Sequence, residues 1–73
     1  MESKEIDFLS IDQNRVTYEV ELWAGGDCDS HFFYSKRAAI AYFDRHASHT
    51  SDCVKMHEPY FLGGETSIIK EAK

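Results

Sequence analysis

A chain of 73 residues with a net charge of −5 and a sequence pI near 5.2 has room for one domain. The charge is uneven: residues 1–35 carry a net −6 and residues 36–73 a net +1. Phosphate backbones are gripped by clustered Lys and Arg, so this balance disfavours direct nucleic-acid binding, while an acidic face can still meet a basic protein partner. There is no apolar run of membrane-spanning length and no charged-then-apolar leader, which points away from a membrane and towards the cytoplasm.

Taken in order, residues 1–5 are polar and expected to fray, as are residues 71–73. Residues 6–11 (IDFLSI) are rich in strand formers and are expected as a first strand. Asp12, Gln13, Asn14 and Arg15 read as a turn. In residues 16–22, Val16, Tyr18, Val20 and Leu22 alternate with Thr17, Glu19 and Glu21, the period of a half-buried strand. Residues 24–30, with Gly25-Gly26, read as a loop, and residues 31–34 as a short third strand.

Residues 35–49 (SKRAAIAYFDRHASH) form the clearest helix. Ser35 can cap its first turn, and Ala39, Ile40, Phe43 and Ala47 recur on one face. Arg37, Ala38, Ala41, Asp44 and Arg45 fall towards the other side. Residues 54–62 and 66–70 read as two further strands joined at Gly63-Gly64, with Pro59 marking an edge, a break or a bulge. The expected fold is a single α+β domain, residues 1–73, of order β-β-β-α-β-β: an antiparallel sheet with one amphipathic helix on one face. One helix cannot cover both faces of such a sheet, so Leu9, Ile11, Trp23, Phe33 and Phe61 are candidates for the uncovered side.

Three constellations bear on chemistry. Glu19 and Glu21 point the same way from the second strand, and Trp23, Asp27 and Asp29 continue the series. They suggest an acidic, aromatic docking surface. His46, His49, Cys53 and His57 are chemically adequate zinc ligands, but the paired C-x-x-C knuckles of structural zinc sites are absent. Cys28 with His31, or Cys53 with His57, offers a thiolate–imidazole pair without evident oxyanion donors. Neither Gly-Gly pair carries the Lys and Ser/Thr of a phosphate loop, and the acids around Asp27 miss calcium-loop spacing.

The favoured reading is a small acidic, non-enzymatic protein-binding module without a cofactor, an inhibitor or adaptor. It would dock Glu19, Glu21, Trp23, Asp27 and Asp29 on a partner with a basic surface. The alternatives are a zinc-stabilised domain and a homodimeric structural protein. Cys28 and Cys53 are expected as free thiols.

Overall fold

The structure, a computed structural model, describes residues 4–47, 52–58 and 65–72. Among these residues, four antiparallel strands form one open sheet: β1 (Thr17–Ala24), β2 (Asp27–Phe33), β3 (Cys53–His57) and β4 (Thr66–Glu71), in the order β2-β1-β3-β4. Helix α1 (Lys36–His46) packs on one face, giving the expected α+β architecture.

The alternation in β1 decides which side is buried. Val20, with Phe33 from β2, Val54 from β3 and Ala39 and Phe43 from α1, forms the buried core, and Tyr18, Leu22 and Ile69 pack against it. The helical stripe is shifted from the expected one. Ala38 and Tyr42, half-buried, lie against the core beside Ala39, Phe43 and Ala47, whereas Ile40, equally half-buried, is not part of that cluster. Ser35 is the N-cap, its Oγ accepting from the Ala38 backbone N–H at 3.2 Å.

Residues 24–30 are not a loop. Gly25 and Gly26 both take positive φ, 59° and 87°, and form a two-residue hairpin turn that lets Ala24 pair with Asp27. Two successive left-handed residues match the twist of the flanking strands, so the polar sequence after the turn is zipped into β2 by backbone pairing. This also lengthens the expected strand at 31–34 backwards to Asp27.

The expected strand at 6–11 is replaced by one antiparallel bridge, Ile6 with Phe32, followed by a 3-10 turn at Phe8–Ser10. The apolar residues of 6–11 are split between both faces of an extended chain, so a regular edge strand would leave one pair in water. The turn instead lays Phe8 against Phe32, ring centroids 5.3 Å apart, and leaves Leu9 88% exposed. Among the described residues, the order of regular elements is therefore β-β-α-β-β.

The other end of the chain is held by buried Asp52, through both its carboxylate and its main-chain carbonyl. Asp52 Oδ1 accepts from the Trp23 backbone N–H at 2.8 Å, and the Asp52 carbonyl accepts from the Ala72 N–H at 3.0 Å. One residue thus closes the ladder at the ends of β1 and β4. A register shift at Val54/Lys55 puts a bulge in the β3–β4 pair, so Ile69 packs on the core while Lys70 reaches Asp44 of α1 at 2.8 Å. Pro59, Phe61 and the Gly63-Gly64 turn lie outside the described residues. Among the described residues, no helix is long and apolar enough to cross a membrane.

Candidate functional site on the open sheet face

The face away from α1 is built by the odd-numbered residues of β1. Thr17, Glu19, Glu21 and Trp23 stand in a row, and register places Phe32, Ser30 and Cys28 of β2 on one flank. His57, Lys55 and Cys53 of β3 form the other flank. Phe33, expected on this side, belongs instead to the core under α1, and Phe32 takes the open side beneath Phe8. One register step separates the two assignments.

Glu19 and Glu21 do not present free charge. Glu19 Oε1 lies 2.8 Å from His57 Nε2, and both residues are 8% exposed. The other ring nitrogen, Nδ1, is 2.9 Å from the Thr66 hydroxyl on β4. The neutral tautomer that satisfies every group has Nε2–H donating to the carboxylate and Nδ1 accepting from Thr66. Glu21 Oε1 accepts from Lys55 Nζ at 2.9 Å, from Trp23 Nε1 at 3.4 Å and from the Cys53 thiol at 3.4 Å. The shortest bond of each acid goes to the residue diagonal to its register partner. Glu19 stands opposite Lys55 but bonds His57, and Glu21 stands opposite Cys53, whose thiol it also accepts from, but bonds Lys55 more closely.

The electrostatics follow from this packing. Burial works against the ionised Glu21, but the hydrogen bonds from Lys55, Trp23 and Cys53 outweigh it and hold the carboxyl below its ordinary pKa. Lys55 is raised, first by its bond to Glu21. The Cys53 thiol is pushed up to about 11, by burial and then by the same carboxylate. It is therefore protonated near neutrality, a donor to Glu21 with little nucleophilic character. Cys28 is exposed and also raised by desolvation. Both thiols are free.

The sequence-predicted surface divides. Glu19, Glu21 and Trp23 share the open face, while Asp27 and Asp29 pair with Ala24 and Leu22 and so project on the side of α1, at the exposed end of the hairpin. Among the described residues, neither aspartate has an ion pair. Trp23 is 40% exposed despite its bond to Glu21.

Of the four expected metal ligands, the three that the structure describes do not come together. His46 ends α1 with its ring 4.2 Å from that of Tyr42, on the face opposite Cys53 and His57, and His49 lies outside the described residues. Cys53 and His57 are engaged by Glu21, and by Glu19 and Thr66. Among the described residues, no group of three His, Cys, Asp or Glu side chains is placed to hold a metal ion.

Sequence reasoning missed His57 and Lys55 as partners of the acids. The signal was present: Lys55 and His57 recur at period two, as Glu19 and Glu21 do, so paired antiparallel strands can match opposite charges along one face. Beyond this face, a groove of about 260 Å³ between α1 and β2 is lined by Phe33, Ala38, Ala41, Tyr42 and Arg45. That is below the usual size of a small-molecule site, about 300–1,000 Å³. Comparison with protein families, curated proteins and solved structures finds no match to this chain.

Proposed function

We propose that this chain is a small, non-enzymatic protein-binding module, an inhibitor or adaptor, that docks its acidic hairpin end and Trp23 on a basic surface of another protein in the cytoplasm. The observation that carries this reading is the division of the acids. Glu19 and Glu21 are consumed by His57 and Lys55, whereas Asp27 and Asp29 are exposed at the hairpin end, across the sheet from a half-exposed Trp23 on the other face. Exposed acids steer a basic partner, and a tryptophan with an apolar body and one polar edge suits the centre of a contact. Two free thiols accord with the cytoplasm.

The test is charge reversal away from the internal network. A partner trapped by cross-linking should bind wild-type protein in a salt-sensitive manner. It should lose about tenfold or more in affinity with Asp27→Lys/Asp29→Lys, because close opposite charges across an interface are worth more than about 1.4 kcal/mol. Equal binding by this variant, with its fold intact by circular dichroism, removes the reading.

A competing reading rests on the order Thr66–His57–Glu19, in which an imidazole between a carboxylate and a hydroxyl could make Thr66 a nucleophile. It predicts release of nitrophenol from nitrophenyl acetate, with the acetyl group carried on Thr66. Turnover no faster than that of His57→Ala eliminates it.

A further inference from the structure

We infer that the outer edge of β2 is a docking edge for an extended, Lys- or Arg-rich segment of the partner protein, which adds to the sheet as a further antiparallel strand. The inference rests on the basic-partner reading above and supplies its mode.

Strand β2 is outermost in the sheet. Its outward backbone groups follow from a single contact: the Phe32 carbonyl accepts from the Ile6 N–H at 2.7 Å, in an antiparallel bridge. Within a strand, backbone groups of alternate residues address the same side. Ser30 and Cys28 therefore address outward with Phe32, while Asp27, Asp29 and His31 bond towards β1. The bridge shows that this edge accepts an antiparallel neighbour. It is then abandoned, because the chain turns away at Phe8–Ser10, where Phe8 would have faced Ser30. Among the described residues, no backbone bond from outside the β1–β2 pair reaches Cys28 or Ser30.

The two edges of the sheet are treated differently. Strand β4 carries the bulge and Lys70, both devices that discourage further pairing. Strand β2 carries no bulge and no Lys, Arg or Pro. Its only formal charges besides His31 are Asp27 and Asp29, which stand on one side of the strand about 6.6–7 Å apart. Glu5 adds acidity where the bridge begins, bonded to His31 Nδ1 at 2.7 Å. Two copies of this edge would bring like charges together, which disfavours self-pairing. A basic strand with Lys or Arg at alternate positions sets opposite charges across from both aspartates while its backbone satisfies Cys28 and Ser30.

The test uses the full chain, isotopically labelled, with a short end-blocked peptide alternating Lys and Thr. The same peptide N-methylated on alternate amides serves as a comparison. The Cys28 and Ser30 amides should shift and gain protection from exchange, and the N-methylated peptide should not bind. Ser30→Pro, which removes an outward donor that β1 does not use, should weaken binding about tenfold or more by losing main-chain pairing. Should that variant not fold, the two peptides alone carry the test. Equal binding of both peptides, or shifts confined to Trp23 and Lys55, overturns the edge mode and leaves the basic-partner reading standing. No binding of either peptide, while a cross-linked basic protein still depends on Asp27 and Asp29, likewise overturns the edge alone. No binding by peptide or basic protein overturns both.

Discussion

On the α1 side of the sheet, Val20, Phe33, Val54, Ala39 and Phe43 are buried against one another as an apolar cluster. On the other side, Thr17, Glu19 and His57 are also buried, and each is held by a polar bond. The first face is stabilised without directional demands, since apolar burial depends mainly on area and fit. The second is conditional: a buried polar group costs free energy unless its partner stays in place. The difference shows why the face away from α1 can bury polar side chains without a helix over it, and why its acids present so little free charge.

The largest effect that separates the faces is a core truncation. Phe43→Ala should lower stability by about 3–4 kcal/mol through lost burial and the cavity left behind, read as a fall in the urea midpoint with an unchanged slope. On the open face, His57→Ala should cost about 2–3 kcal/mol, because Glu19 loses the partner that offsets its desolvation. The contrast sharpens in the double replacement Glu19→Met/His57→Leu, expected within about 1 kcal/mol of wild type, since exchanging a whole buried pair for apolar groups is often neutral. If that double variant is as damaged as His57→Ala, the network is more than a set of mutually satisfied groups.

The smallest effect is the pH dependence of the Glu21–Lys55 pair. The folded-state pKa of Glu21 lies below its unfolded value. Its contribution is therefore fully present above about pH 4.3, the ordinary Glu pKa, and is lost as pH falls through the lower folded value. Lys55 is raised, so its contribution is present below its ordinary value and lost only as pH rises through the higher folded one. Lys55→Met should remove about 0.5–1 kcal/mol at neutral pH and little at acid pH, where Glu21 is protonated. A stability difference that persists unchanged into acid would place the effect in the packing of the lysine stem instead.

Much of the fold was legible because its signals are local. The alternation through Val20 and Leu22 identified β1, and Ser35 ahead of an Ala-rich amphipathic run identified α1. The Gly25-Gly26 pair marked a turn but not its tightness, since only the backbone angles reveal that Asp27 already pairs with Ala24. The apolar run at 6–11 misled because its composition suits a strand, whereas the available edge accepts one residue, Ile6, before Phe8 finds a better contact on Phe32. The candidate site was half legible: Glu19, Glu21 and Trp23 were placed on one face by period alone. Their partners were not, because pairing β1 with β3 joins residues 38 apart, Glu19 and His57, across a chain reversal no local pattern specifies.

By itself, then, the sequence determined the elements whose side chains repeat at a fixed period, the capped helix, and the overall excess of acid in its first half, since these depend on neighbours along the chain. The tertiary structure alone decided which charges remain available. Strand order and register gave Glu19 to His57 and Glu21 to Lys55, and turned Asp27 and Asp29 away from both. A charge acquires its role from what lies a few ångströms away in space, and side-chain bonds of that length between strands are fixed only when the sheet has formed.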